Sequence, residues 1–199
     1  VGNTVVDAVK IISNKDITSK KLINVSNDKK IILLTAHRRE NFGQPIVNIT
    51  KAILQMINSV KNIHFFIPVH PNPMVKDIFY EALSSNENIT LSKPLDYIDL
   101  MKIMNQCNII LTDSGGIQEE AISFNKPVLI LRDNTERPEV VEAGGGKVIG
   151  CLVNDIVNET QKLIYDSNYY DSMINKENPF GNGNSSEKII NIILKNYSF

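Results

Sequence analysis

Short apolar runs alternate with stretches of helical period along this 199-residue chain, and that alternation limits the fold more than any other feature. Runs with the length and bulk of buried strands are Ile31–Thr35, Ile63–Pro68, Ile109–Thr112, Val128–Leu131 and a more polar fifth, Asn88–Leu91. Strands that are apolar throughout are typical of a parallel sheet with both faces covered. The runs therefore predict a sheet buried between two layers of helices.

Amphipathic stretches fill the intervals between these runs. Pro45–Val60 places an isoleucine at every third or fourth position along one stripe, as a surface helix does. Further candidate helices are Thr4–Ile12, Met74–Leu83, Tyr97–Asn105, Ile117–Phe124 and Ser185–Lys195. Strands alternating with helices predict right-handed crossovers and an α/β fold, a Rossmann-like doubly wound parallel sheet of about six strands. We expect one domain over residues 1–199, with Asp16–Lys30 as a polar surface connection.

The composition excludes several classes of partner. The 21 Lys and Arg balance 22 Asp and Glu, and a net charge of -1 predicts neither a nucleic acid nor an anionic membrane as partner. No uninterrupted apolar run reaches the roughly 18 residues of a membrane span. Cys107 and Cys151 have no metal-ligand spacing, so we expect no metal site and a reducing, cytoplasmic location.

The segments that follow the predicted strands carry most of the reactive side chains. In a doubly wound sheet, ligands bind outside the carboxyl ends of the strands. The segments at those ends are Ala36–Gly43, Pro68–Pro73, Asp113–Glu120 and Arg132–Glu139. Since all four follow strands of one parallel sheet, they should meet at one edge.

Asp113-Ser114-Gly115-Gly116 is the strongest local signal, because it joins a strand to a helix. Two glycines allow close backbone approach, and the free N–H groups of a helix N-terminus attract anions. A phosphate is the expected guest, and Glu119 or Glu120 could reach past it to ribose hydroxyls. The alternative is that the glycines make a turn and both acids complement the helix dipole.

The basic residues of these segments also allow two interpretations. Arg38 and Arg39 beside His37 could hold a diphosphate through bidentate contacts, or could form a solvated face. Arg137, flanked by Glu136 and Pro138-Glu139, could contact the same ligand or form a structural ion pair.

The three histidines divide in the same way. His37 and His70 follow strands, where either could serve as acid, base or phosphate donor near neutral pH. His64 precedes apolar strand residues and is expected to be structural.

Together and in this order, these segments resemble one family, the non-hydrolysing UDP-N-acetylglucosamine 2-epimerases. The similarity is carried by His37–Gly43, Pro68–Pro73, Thr112–Glu120, Arg132–Glu139 and Asn178–Gly183, which span nearly the whole chain. The resemblance implies the C-terminal half of a two-domain, glycosyltransferase-B-like fold. It also implies that residues 1–30 include the crossover from an N-terminal domain, which would hold the catalytic carboxylates.

The resemblance assigns roles to individual residues. Ser114, Gly115 and Gly116 would hold the diphosphate of UDP, Glu120 the ribose, and His37 would lie at the catalytic centre. Arg137 would also contact the nucleotide, and the stretch Leu95–Leu100 would flank the uracil, with Leu100 standing where members often have an aromatic residue. An allosteric UDP-N-acetylglucosamine would contact positions like Arg38, Glu40 and His70.

The implied reaction interconverts UDP-N-acetylglucosamine and UDP-N-acetylmannosamine by elimination and re-addition of UDP. It needs no cofactor, and the intact enzyme would be a homodimer. This chain alone would bind UDP but would not catalyse. Other functions remain open from the residues themselves: half of a UDP-sugar glycosyltransferase, half of a hydrolysing epimerase, or a non-catalytic nucleotide-sugar sensor.

Overall fold

Six parallel strands form one sheet in the computed structural model of the chain, which describes residues 1–14 and 25–196. The strands are β1 (Lys30–Thr35), β2 (Ile63–Pro68), β3 (Ile89–Ser92), β4 (Ile109–Thr112), β5 (Val128–Ile130) and β6 (Gly146–Val148). Their spatial order is β3-β2-β1-β4-β5-β6, and every neighbouring pair is parallel. The predicted α/β Rossmann-like sheet is confirmed.

Helices connect the strands and cover the sheet. They are α1 (Thr4–Asn14), α2 (Gln44–Ser59), α3 (Pro73–Leu83), α4 (Tyr97–Gln106), α5 (Gly115–Ser123), α6 (Pro138–Glu142), α7 (Val153–Tyr165), α8 (Ser167–Met173) and α9 (Ser185–Asn196). A short 3-10 turn over Arg39–Asn41 precedes α2. Among the described residues, no helix combines the length and the hydropathy needed to cross a membrane.

The five strands located in the sequence are confirmed, and so are the six helices predicted there. Strand β6 and helices α6, α7 and α8 were not located. The strand has three residues and a single large apolar side chain, so it carries no periodic signal. Most of the predicted connection Asp16–Lys30 lies outside the described residues, and Lys30 itself begins β1.

Residues of each strand alternate between two hydrophobic cores, as the twofold period of a strand requires. In β1, Ile32 and Leu34 belong to the core beneath α2, α3 and α7, whereas Leu33 belongs to the core beneath α1, α4 and α5. All three side chains are fully buried. Burying each of them contributes about 1.5–3 kcal/mol, which makes the sheet a rigid base for the loops at its edge.

The order in which the strands are added to the sheet changes direction between β1 and β4, which are parallel neighbours in space. Ile32 of β1 pairs with Ile109 of β4, and the register continues to the pair formed by Thr35 and Thr112. The segment after β1 leads to α2 on one face of the sheet, and β4 leads to α5 on the other. The loops therefore separate and leave a crevice, the usual ligand position in this fold.

Candidate functional site

The N-terminus of α5 lies open at this crevice. Ser114 is its N-cap, yet the Ser114 side chain makes no capping hydrogen bond to the described helix, and its backbone N–H donates to Thr112 Oγ1 at 3.0 Å. Gly116 is exposed, and apart from its chain neighbours and the nearby backbone of α5, a Cβ added there would meet no atom of the described residues within 4 Å. A ligand can therefore reach the backbone N–H groups of the first turn and the Ser114 hydroxyl together.

Two guanidinium groups flank this helix end. A Cβ on Gly115 would lie 3.8 Å from Arg38 Nη2 and 3.9 Å from Arg137 Cζ, so both arginines lie beside the first turn. Their side chains are 35% and 34% exposed, respectively. The Glu136 carboxylate is equally close, with Oε2 3.8 Å from the same Cβ position and 3.8 Å from Arg38 Nη2. The helix dipole and the two guanidinium groups favour an anion here, which makes this edge a candidate anion site in which each arginine also has a carboxylate neighbour.

Arg137 is held in place by buried neighbours. Its Nε donates to the Glu119 carboxylate, which also accepts from Asn3 Nδ2 at 3.0 Å. Its backbone N–H donates to Thr135 Oγ1, and that hydroxyl donates in turn to the buried Gln118. The ion pair considered as the alternative for Arg137 is therefore present, with Glu119 as partner. Sequence reasoning missed this role for Glu119, because the two residues are far apart in the chain.

Glu120 lies on the other side of α5 in a different environment. The residue is 6% exposed, and its carboxylate is hydrogen-bonded to the Tyr97 hydroxyl at the start of α4. Burial raises the pKa of Glu120 to about 7, with a further rise from the charge of Glu119 and an opposing effect of the Tyr97 hydrogen bond. Burial, together with the Glu120 charge, raises the pKa of Tyr97 to about 12.

Leu95 and Leu100 are half-buried residues before and within the first turn of α4. Both pack against the core beneath α1, α4 and α5. Because Tyr97 of the same segment contacts Glu120, the apolar stretch lies beside the carboxylate predicted to bind ribose. The structure thus brings these predicted residues together on one side of α5.

His37 lies on the opposite side of the crevice and is tied to the end of β4. Its backbone N–H donates to Asp113 Oδ2 at 2.9 Å, and its Nδ1 lies 3.3 Å from Asp113 Oδ1. The imidazole stacks on His70, with ring centroids 6.0 Å apart and an interplanar angle of 18°. The two histidines that follow strands therefore form a pair, whereas His64 is buried and bonded to Thr90, as expected of a structural residue.

The residues predicted to form an allosteric site are placed separately. Arg38 Nε donates to the Asp113 carbonyl at 3.3 Å, whereas Glu40 accepts from Arg132 Nε at 2.6 Å. His70 stacks on the His37 ring. All three lie in loops at the same edge of the sheet, each with a different partner within the described part of the chain.

Two further residues organise the loops and were not predicted as site residues. Asn41 is buried, and its Nδ2 donates both to Asp113 Oδ2 and to the Leu131 carbonyl, each at 3.0 Å. Arg132 is 7% exposed and pairs with Glu40 and with Glu136 at 3.3 Å. They fix the β1, β4 and β5 loops relative to one another. In the described ranges, no group of three or more His, Cys, Asp or Glu could hold a metal ion.

Comparison with known proteins places this arrangement in a family. Residues 1–194 match the model of the family described as UDP-N-acetylglucosamine 2-epimerase. A UDP-N-acetylglucosamine 2-epimerase from Neisseria meningitidis is 45% identical to 98% of the chain, and the match covers 54% of that relative.

Solved structures agree with this assignment. The UDP-GlcNAc 2-epimerase from N. meningitidis bound to UDP-GlcNAc superposes with a TM-score of 0.91 at 42% identity, covering 98% of this chain and 54% of that one. A co-structure of S. aureus MnaA with UDP gives a TM-score of 0.90 at 45% identity, covering 98% and 53%. The chain thus spans about half the length of the relatives it matches.

Proposed function

Since the chain belongs to the UDP-N-acetylglucosamine 2-epimerase family, we propose that it is the UDP-binding, C-terminal half of a non-hydrolysing member. The intact protein interconverts UDP-N-acetylglucosamine and UDP-N-acetylmannosamine by eliminating UDP and adding it back after a proton reaches the other face of C2. Relatives solved with UDP-GlcNAc and with UDP support this choice of ligand.

The observation that carries the proposal is the open N-terminus of α5 between two arginines. The Ser114 hydroxyl makes no capping hydrogen bond within the described helix, Gly116 has open space beside it, and Arg38 and Arg137 lie next to Gly115. The helix dipole and the two guanidinium groups suit a diphosphate, which would compete with Glu119 and Glu136 for the arginines. Their position at the β1–β4 crevice is where a doubly wound sheet binds nucleotides.

The same groups explain how this half serves the reaction. Breaking the bond from C1 to the diphosphate leaves negative charge on UDP. Preorganised N–H groups, guanidinium groups and His37 stabilise that charge without reorganising. Glu120 accepts hydrogen bonds from the ribose hydroxyls, and Leu95 with Leu100 forms the apolar wall beside the uracil. Arg38, Glu40 and His70 remain the proposed contacts of an allosteric nucleotide sugar.

A second half must complete the site. Proton transfer at C2 needs a base on the sugar side of the crevice, which we assign to carboxylates of an N-terminal domain. The described chain has a surface suited to such a contact: Ile190, Ile192, Ile193 and Leu194 of α9 are 43–61% exposed. Contiguous exposed apolar side chains mark interaction surfaces.

A homodimer and a cytoplasmic location complete the proposal. Light scattering on the full-length protein tests whether it is a homodimer.

Calorimetric titration with UDP tests the nucleotide site. The chain should bind UDP, and Arg137→Ala should weaken binding by about 1.5–3 kcal/mol, because a charged hydrogen bond is lost. Lys76→Ala is the control for net charge, since Lys76 is an exposed cation of α3 with no proposed ligand contact and its removal takes away the same charge. If both variants lost the same amount of UDP affinity, net charge would explain the effect, and a specific contact between Arg137 and the nucleotide would be contradicted.

Solvent exchange tests the division of labour between the halves. The 199-residue chain incubated with UDP-N-acetylglucosamine in heavy water should place no deuterium at C2. A protein that joins this chain to an N-terminal domain of the family should place it there. Deuterium incorporation by the chain alone would show that the base lies in this half, contrary to the proposal.

A further inference from the structure

Asp113 is a fully buried carboxylate at the end of β4, and one of its oxygens is saturated. Oδ2 accepts from the backbone N–H of His37 at 2.9 Å, from the backbone N–H of Arg38 at 2.8 Å and from Asn41 Nδ2 at 3.0 Å. A buried carboxylate is costly unless it is hydrogen-bonded. The three donors fix the plane of the carboxylate and determine where its other oxygen points.

That other oxygen, Oδ1, faces the His37 imidazole. Oδ1 is buried and accepts no well-aligned hydrogen bond from the described residues, and His37 Nδ1 lies 3.3 Å from it. A contact of this length becomes a hydrogen bond after a small rotation of the ring, and such contacts tighten when a ligand binds. An Nδ1–H group is the donor that would satisfy this oxygen.

The second nitrogen of His37 is left for a ligand. The side chain is 37% exposed, and since Nδ1 faces a buried group, the exposed edge is the one that carries Nε2. In the stacked His70 ring, Nδ1 is an acceptor rather than a donor, because it accepts a hydrogen bond from the Asn72 backbone N–H at 3.2 Å. Neutral His70 must therefore carry its proton on Nε2.

We propose that Asp113 is a positioning residue that keeps His37 in the Nδ1–H tautomer and turns Nε2 toward the diphosphate of the bound nucleotide. The identity of that ligand rests on the function proposed above. When UDP binds, Nε2 takes a proton from solvent and donates it in a hydrogen bond to a phosphate oxygen. The buried carboxylate balances the charge of the resulting imidazolium, as in other buried aspartate–histidine pairs.

The amide variant Asp113→Asn makes a sharp test because three donors fix the side chain. The amide oxygen of the variant must take the place of Oδ2 to keep the bonds from His37, Arg38 and Asn41. Its NH₂ group then faces His37 Nδ1, which has to become an acceptor. The tautomer of His37 should switch to Nε2–H, whereas His70, bonded to Asn72, should not change.

Nitrogen-15 NMR of the imidazoles, recorded at rising pH until the rings are neutral, reads these tautomers directly. We expect Nδ1–H for His37 and Nε2–H for His70 in the natural chain, with only His37 switching in Asp113→Asn. The natural chain alone decides the tautomer even if the variant does not fold. An Nε2–H tautomer of His37 there, or an unchanged His37 in a folded variant, overturns the proposal.

Adding ligands to the natural chain tests where Nε2 points. UDP should move the His37 Nε2 resonance from the lone-pair range to the N–H range, and uridine, which lacks phosphate, should leave it in place. A UDP complex without this change overturns the assignment of Nε2 to the diphosphate while the proposed UDP site stands. If UDP did not bind at all, the proposed function and the assignment of Nε2 to the diphosphate would both be contradicted. The tautomer of His37, which is measured without ligand, would not be affected.

Discussion

Two adjacent glutamates of α5 have opposite environments, although both are buried. Glu119 is paired with the Arg137 guanidinium and the Asn3 amide, so its charge is compensated. Glu120 has a phenol hydroxyl rather than a cation as its hydrogen-bond partner, and its pKa rises to about 7. Adjacent helix positions point about 100° apart, which brings one to the β5 loop and the other to α4.

The difference separates a structural carboxylate from one reserved for a ligand. A paired carboxylate stabilises the fold and holds Arg137 at the crevice. An uncompensated buried carboxylate costs free energy, and such a cost is typical of functional sites. Glu120 also lies close to the proposed diphosphate, where a negative charge needs a specific reason. Acceptance of ribose hydroxyls gives that reason.

The largest expected effect is the pH dependence of stability from Glu120. Its folded pKa of about 7 lies above the ordinary 4.5, so the folded state binds the proton more tightly than the unfolded chain. The contribution is fully present below about pH 4.5 and is lost as the pH rises through about 7, in total about 3 kcal/mol. Glu120→Gln removes this dependence, so its stability relative to the natural chain should improve between pH 5 and pH 8.

Urea denaturation of both proteins at several pH values measures this change. Glu142→Gln is a suitable control, because Glu142 is exposed and its removal also takes away one negative charge. The control should follow the natural chain across the range. If the free energy of unfolding changed with pH in the same way in the natural chain and in Glu120→Gln, Glu120 would titrate normally. The contrast with Glu119 would then be lost.

Glu119→Gln should have the next largest effect, a loss of about 2 kcal/mol in stability. Removing one partner of a buried ion pair costs about 3–5 kcal/mol, and the partial exposure of Arg137 reduces that figure. The loss should be somewhat smaller at pH 8 than at pH 6, because removing the Glu119 charge lowers the pKa of Glu120 and so reduces the stability lost when Glu120 ionises. UDP affinity should fall too, since Arg137 loses the contact that fixes it. A variant as stable as the natural chain would make the Glu119–Arg137 pair a surface contact of no consequence.

The crevice could be located from the sequence because its signals are local. A strand followed by Asp113-Ser114-Gly115-Gly116 and a helix specifies a backbone shape that adjacent residues determine. Strands β1 and β4 were equally visible as apolar runs. The very short β6 was not located, since Gly146–Val148 forms a strand only by pairing with β5.

The partners of the charged side chains could not be predicted in the same way. Arg137 pairs with Glu119 rather than with the adjacent Glu136 or Glu139, because the β5 loop folds back over α5. Asn41 joins three loops that are distant in the chain. These contacts depend on tertiary packing, which periodicity does not contain.

The smallest expected effect is also the most specific, a pH-dependent affinity for uridine. If Glu120 binds ribose as a carboxylate, only its ionised form is competent. With a pKa of about 7, about a tenth is ionised at pH 6 and about nine-tenths at pH 8, so uridine should bind up to about tenfold more tightly at pH 8. Uridine is preferred to UDP, because a terminal phosphate itself titrates near pH 6 and would obscure the change.

Two variants sharpen the measurement. Glu120→Gln should bind uridine weakly and equally at both pH values, since a neutral amide replaces the charged acceptor. Tyr97→Phe removes the hydrogen bond that lowers the pKa of Glu120, so the rise in affinity should move to higher pH. Glu142→Gln should keep the natural profile.

If Glu120 merely complemented the dipole of α5, uridine affinity would be independent of pH and Glu120→Gln would bind UDP more tightly, because one negative charge near the diphosphate is gone. The ribose assignment and the dipole assignment therefore predict opposite signs for the same substitution, and a titration of each variant with both ligands decides between them.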